Sequence, residues 1–241
     1  VNIELPSRDA LSALAPEKTD TSIKRAMGEI RLKLDEAADG GARAPKFSPS
    51  GQSTQIIVGA DASTDSSILE TADTLYRSYR LKRVYYSAFS PIPHSSARLP
   101  NRAPPLMREH RLYQADWLLR YYGFSTQELT GSMPAGQLDL ALDPKTVWAL
   151  ANREQFPVDV NTAERAALLR VPGLGVKVVK RILSTRRVRR LRYADLEAMG
   201  ARLGRARYFI TSADYHPKAD GQGSERLRVE LTQANRQQAL F

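Results

Sequence analysis

The chain has no cysteine in its 241 residues. That excludes disulfides, thiolate metal sites and any iron–sulfur cluster held through its own sulfur. Histidine is scarce: His94, His110 and His216 lie far apart and show no metal-ligand spacing. No apolar run approaches the roughly 18 residues of a membrane-spanning helix, and no positively charged leader precedes an apolar segment. Residues 1–100 contain no phosphate loop, no nucleophile elbow and no histidine–carboxylate cluster. With 42% hydrophobic residues the chain can still bury a core as one large domain or two smaller ones, and the expectation is a cytoplasmic globular protein.

Charge is abundant but uneven. The formal net charge is +10, and residues 160–210 alone hold 13 lysines and arginines against three acids, Glu164, Asp195 and Glu197. The rest of the chain is balanced at 23 of each sign, so the whole excess lies in one segment. Such a field suits a polyanion, and without an apolar anchor nucleic acid is favoured over a membrane surface.

The first hundred residues alternate strand and helix patterns. "VNIEL" (1–5), "QIIVGA" (55–60) and "RVYYSAF" (83–89) read as strands. "SIKRAMGEIRLKL" places Ile23, Ala26, Met27, Ile30 and Leu34 on one helical face, and a second helix spans about 66–80. Strand, helix and strand within about 35 residues form a βαβ crossover, hence a parallel sheet and an α/β fold. Three parallel strands need cover on both faces, so further βα units are expected upstream. An opening at Val1 rather than Met, already in a strand pattern, leaves room for a start before residue 1. Residues 101–160 read as helical connecting region, with Asp143-Pro144 as a helix start. The second domain is expected at 161–210, and 211–241 as a polar, mobile tail.

Within the basic segment stands "LLRVPGLGVKVVKRIL" (168–183). Asn161 is expected to cap a helix with Glu164 as its capping-box partner. That helix must stop at Val171-Pro172, because proline disfavours helical geometry in the residue before it. Gly173 and Gly175 permit a bend and leave amides uncovered. A second helix follows from about Val176, with Val178, Val179, Ile182 and Leu183 inward and Lys177, Lys180, Arg181 and Ser184 on another face. Bare amides at its positive end, with lysines alongside, suit a phosphate oxygen. Arginines 186, 187, 189, 190 and 192 extend the patch.

Val171-Pro172-Gly173-Leu174-Gly175 resembles the signature of the helix-hairpin-helix family, which grips DNA backbone through hairpin amides. The resemblance implies DNA contacts by Pro172, Gly173, Leu174, Gly175, Val176, Lys177 and Lys180. A looser second half, "YADLEAMGARLGRARYFI", has Leu196, Met199, Gly200 and Leu203 in similar places but lacks the Pro-Gly-x-Gly core.

The order "VNIELP", "TQIIVGADASTDSSIL", "LKRVYYSAFSPIP", helices, hairpin and "ARYFIT" resembles the C-terminal portion of DNA modification/repair radical S-adenosylmethionine proteins. The fold this implies is a partial βα barrel of radical S-adenosylmethionine type, its N-terminal strands missing, followed by an all-α helix-hairpin-helix domain. The implied cofactors are S-adenosylmethionine and a 4Fe-4S cluster, whose three cysteines this chain lacks. Cofactor-side candidates at the strand ends are Asn2, Glu4, Gln55, Gly59 and Ala60, with Gly59 the best placed; a plain strand-to-loop turn is the alternative there. Ser87, Ser90 and His94 are weaker candidates, and Tyr85 and Tyr86 read as packing residues. A uracil-DNA-glycosylase-like partner is also implied by this family. The final "QQALF", with Gln237, Leu240 and Phe241, resembles the peptide that docks on the bacterial sliding clamp. Two other classes stay open: a non-enzymatic DNA-binding adaptor, and a helix-hairpin-helix glycosylase, for which Asp195 sits in the wrong context.

Overall fold

The computed structural model describes residues 1–39, 47–93, 96–217 and 223–238. They form a mixed helix-and-strand protein with small parallel sheets, in two compact units. The first comprises Val1–Asp116 and Pro134–Leu138, the second Trp117–Met133 and Asp139–Phe241. The helical stretch at 101–160 is therefore divided between the units and forms no layer of its own.

The first unit contains α1 (Arg8–Leu14), α2 (Asp20–Asp39), β1 (Ser53–Val58), α3 (Asp65–Tyr79), β2 (Arg83–Ala88) and α4 (Leu106–Tyr121) as far as Asp116. β1 and β2 pair in parallel, Ser53 opposite Arg83 through Val58 opposite Ala88. α3 is the crossover between them, started by Thr64, whose hydroxyl accepts from the Ser67 amide.

The expected first strand shrinks to a single bridge, Glu4 opposite Ile56. The reason is local: Glu4 has φ of 64°, which takes the backbone out of the extended region. The Ile3 amide accordingly donates to Thr54 Oγ1 rather than to a ladder carbonyl. The direction remains parallel, with the Glu4 amide donating to the Gln55 carbonyl and Ile57 to that of Glu4.

Side chains alternate across this sheet as a period of two requires. Thr54, Ile56, Val58, Val84 and Tyr86 are buried, whereas Gln55, Ile57 and Ser87 are half-buried and Tyr85 is 43% exposed. Only one face is thus fully buried. On that face Tyr76 and Tyr86 both donate to buried Asp116 Oδ1, at 2.5 and 3.2 Å. Burial first, then the Asp116 charge, pushes the Tyr86 phenol well above its ordinary range, so it stays a donor. Gln52 ties β1 to two helices, donating to the carbonyls of Met27 and Tyr79. Buried Asp65, in the first turn of α3, accepts from Arg108 Nε at 2.6 Å and the Leu138 amide at 2.9 Å.

The second unit contains α5 (Thr126–Thr130), α6 (Pro144–Ala151), β3 (Val158–Asp159), α7 (Arg165–Arg170), α8 (Val176–Thr185), α9 (Tyr193–Ala198), α10 (Leu203–Ala206), β4 (Ile210–Thr211) and α11 (Ser224–Gln238). α6 starts as expected, with Asp143 accepting from the Thr146 amide at 3.0 Å and Pro144 in its first turn. The parallel pair β3–β4 joins the two ends of the basic segment, Val158 opposite Ile210. Edge-to-face aromatic contacts run from Phe124 through Trp148 and Phe156 to Phe209, with centroids 5.1–6.3 Å apart.

The end of the chain corrects the expectation of a mobile tail. α11 buries Leu227 and Leu231, four residues apart on one helical face. Arg228 pairs with Asp139, and the Ser224 hydroxyl donates to the Leu150 carbonyl at 3.2 Å. Two leucines in a polar run are too few to announce a helix in the sequence, but enough to seat one.

Candidate nucleic-acid interface

The helix boundaries in the basic segment follow the local chemistry. α7 ends at Arg170, and Val171 before Pro172 is extended, at φ −68° and ψ 121°. Gly173 turns the chain at φ +87°, and α8 begins at Val176 behind Gly175. Val178, Val179 and Ile182 are buried, while Lys177, Lys180, Arg181 and Ser184 are exposed, as the helical spacing predicts.

The helix start differs from expectation. Glu164, not Asn161, occupies the cap of α7, and no side chain bonds there. Asn161 instead clasps Leu191: its amide donates to the Leu191 carbonyl at 3.1 Å, and its carbonyl accepts the Leu191 amide at 2.7 Å. The turn around it is closed by Asp159, whose Oδ1 accepts from the Asn161 amide.

A second bend repeats the first 27 residues on. Gly200 has φ of +87°, identical to Gly173, between α9 and α10. Buried positions repeat at the same offset: Leu169 and Leu196, Leu174 and Ala201, Val179 and Ala206, Ile182 and Phe209. The two turns touch, with the Arg202 amide donating to the Gly173 carbonyl at 3.0 Å. A Cβ on Gly173 would stand 2.5 Å from the Arg202 carbonyl oxygen. Gly173 is therefore glycine because of its positive φ and because the second turn presses on it.

This redistributes the expected contact residues. Pro172 and Leu174 are buried, and Gly173 is filled in, so these three build the turn rather than present a surface. Gly175 is half-buried, and the nearest atom to a Cβ there is the Tyr122 hydroxyl at 3.7 Å. No side chain caps the first amides of α8, and Val176, Lys177 and Lys180 stand beside them. The accessible portion is thus Gly175–Lys177 with Lys180.

Two of the five arginines in the run are committed internally. Arg186 donates to the carbonyls of Val160 and Ala163, and Arg189 holds Asp195 with two bonds of 2.7 and 2.8 Å. Arg181 donates to the Met199 carbonyl at the end of α9. Arg187, Arg190 and Arg202 are exposed. Asp195 stands third in α9 and also accepts from the Arg192 amide. Its bonds to Arg189, then to that amide, hold its carboxyl well below the usual carboxylate range. An acceptor so occupied is a helix-start residue and a poor general base, as its sequence context implied.

Behind the turn lies a residue that nothing in the sequence signals. Lys145 of α6 is buried, with Nζ 2.7 Å from the Leu174 carbonyl and 4.7 Å from the centroid of the Tyr122 ring. Burial pulls its amine down to about 7. Arg170, at the end of α7, bonds Glu128 at 2.6 Å and the Gly123 carbonyl at 3.1 Å. The hairpin is therefore fastened to α6 and to the end of α4.

In the first unit the cofactor-side candidates are taken up by neighbours. The Glu4 carboxylate pairs with Lys18 at 2.8 Å, and the Gln55 amide donates to Ser87 Oγ at 3.1 Å. Gly59, at φ +80°, has Pro104 where its Cβ would be, 2.8 Å away, so proline fills the approach expected for a ligand. Ala60 is buried, while Asn2 is exposed. Tyr86 is a packing residue; exposed Tyr85 carries Arg83 4.8 Å from its ring centroid. His94, Leu240, Phe241 and the side chain of Gln237 lie outside the described residues. Among the described residues no group of three or more His, Cys, Asp or Glu could hold a metal, and no helix is long and apolar enough to cross a membrane. Comparison with protein-family models, with curated proteins and with solved structures finds no match to this chain.

Proposed function

We propose that this chain binds the sugar–phosphate backbone of DNA through Gly175–Lys177 and Lys180, acting as a helix-hairpin-helix domain of two related halves. The observation that carries the reading is the uncapped start of α8 behind Gly175, flanked by exposed Lys177 and Lys180. Amides at a helix start and adjacent ammonium groups complement a phosphate without reading a base. The concentration of the chain's whole positive excess in residues 160–210 supports it further.

We infer for the first unit a part of a βα barrel, from an enzyme of DNA modification or repair that uses radical S-adenosylmethionine chemistry. Its support is the parallel order of the three strand segments and the half-open face bearing Gln55, Ile57 and Tyr85. A 4Fe-4S cluster does not fit the residues present, since the chain has no cysteine. An in-frame Cys-x3-Cys-x2-Cys encoded before Val1 would carry the enzyme reading; a gene without one leaves a DNA-binding adaptor.

The hairpin is tested by salt-dependent binding to a random-sequence duplex. Affinity falls steeply with salt, and Lys177→Ala with Lys180→Ala lowers the log–log salt slope by about 2. Gly175→Glu sets a carboxylate against the phosphate and weakens binding at every salt concentration. Unchanged binding in both variants overturns the proposal.

A further inference from the structure

Most large aromatic rings of the second unit are buried or half-buried, but two stand out on the last turns of α4. Trp117 is 54% exposed and Tyr121 49%, four residues apart on one helical face. Their rings meet edge to face at 6.0 Å. Arg120 lies between them in sequence, its guanidinium 4.8 Å from the Tyr121 ring centroid and bonded to the Tyr121 hydroxyl at 2.8 Å. The acids of α4 are engaged elsewhere: Asp116 is buried on the tyrosine hydroxyls, and Glu109 accepts from the Ala88 amide. The exposed face is therefore aromatic and cationic, with no carboxylate of its own helix on it.

The same helix end is fastened to the hairpin at three points. The Tyr122 hydroxyl lies 3.7 Å from the Cβ position of Gly175. Lys145 spans from the Tyr122 ring to the Leu174 carbonyl, and Arg170 bonds the Gly123 carbonyl. Trp117 precedes Tyr122 by five residues, about 7.5 Å along a helix axis.

We propose that Trp117, held edge to face by Tyr121 and flanked by Arg120, stacks on an unpaired base of the DNA strand whose phosphate is held at Gly175. The inference rests on the backbone-binding reading and adds to it a strand preference. A half-exposed indole beside a tyrosine and a guanidinium is the chemistry that single-stranded nucleic acid finds on its binding proteins. Inside a duplex the base faces are stacked and unavailable, so the surface is satisfied only by single strands, overhangs or extruded bases.

The experiment uses the full chain, a 12-nucleotide single strand, the matching blunt duplex and the duplex with a single-stranded overhang. Trp117 is the exposed tryptophan and Trp148, the other of the two, is buried, so quenching of emission by DNA reports Trp117. Saturating single strand quenches the emission, and blunt duplex does so far less. Trp117→Ala with Tyr121→Ala weakens single-strand and overhang binding between about 5- and 150-fold, from the usual worth of one stacked base, and leaves duplex binding unchanged. Lys177→Ala with Lys180→Ala weakens all three substrates alike. Emission indifferent to single strand, or equal losses on single strand and duplex in the aromatic variant, overturns the stacking proposal. So does a self-association, seen by sedimentation, that the aromatic variant abolishes while DNA binding persists. Lysine variants without effect on any substrate refute the backbone reading instead, while tryptophan quenching still reports on the stack.

Discussion

The two glycine bends provide their own control. Gly173 and Gly200 share a φ of +87°, so replacing either by alanine incurs the same backbone strain, about 1–2 kcal/mol. They differ in what surrounds them. A methyl at Gly200 meets nothing closer than Arg181 Nη1 at 3.8 Å, an ordinary contact. A methyl at Gly173 would stand 2.5 Å from the Arg202 carbonyl oxygen and 3.1 Å from the Ala206 amide nitrogen, both backbone atoms that cannot swing aside. Separating the turns costs about 1–3 kcal/mol in overpacking, and the bond from the Arg202 amide to the Gly173 carbonyl is worth about 1 kcal/mol more. Gly200→Ala is thus expected to destabilise by about 1–2 kcal/mol and Gly173→Ala by roughly 3–6. Gly175→Ala, with an ordinary φ of −90° and nothing closer to its methyl than the Tyr122 hydroxyl at 3.7 Å, an ordinary contact, should stay within about 0.5 kcal/mol of the parent. Urea unfolding followed by tryptophan emission reads the second unit directly, because Trp117 and Trp148 both belong to it. Equal losses at Gly173 and Gly200, at unchanged denaturant slope, would refute the contact between the two turns.

Lys145→Met tests the buried amine. With the folded-state value pulled from 10.5 to about 7, the parent carries no penalty above its ordinary value; the cost grows as pH falls and levels off below about 7. Between pH 9 and 7 the parent should lose roughly 1.4 kcal/mol per pH unit relative to the methionine variant, and parallel urea midpoints across that window would dismiss it. Asn161→Ala strips the Leu191 amide of its acceptor at a buried residue and should cost about 1–3 kcal/mol. Glu164→Ala, at a cap without side-chain bonds, should be nearly silent in the same melt.

What could be read in advance were local instructions. Val171-Pro172 ends α7 because of a clash within the dipeptide, and Asp143-Pro144 opens α6 by a bond three residues away. The helical phase of Val178, Val179 and Ile182 against Lys177 and Lys180 needs only 3.6 residues per turn. The Asn161 cap failed for the complementary reason. Its local partner competed with Leu191, 30 residues away, and the distant pair satisfied two buried backbone groups at once. α1 is not legible in the sequence because seven residues with one buried leucine carry little periodicity. Gly59 reads in the sequence as an open strand end, and Pro104 closes it from 45 positions downstream.

By itself the amino-acid order determined where α6 starts and α7 stops, the βαβ direction and the placement of the positive charge, since each depends on neighbours a few bonds apart. Only the tertiary structure decided which of those groups remain accessible. It turned Gly173 inward against Arg202, occupied Arg186 and Arg189, hid Lys145 behind the Leu174 carbonyl and left Gly175 and Trp117 outward. Accessibility depends on which distant segments pack over a residue, and no local pattern encodes that.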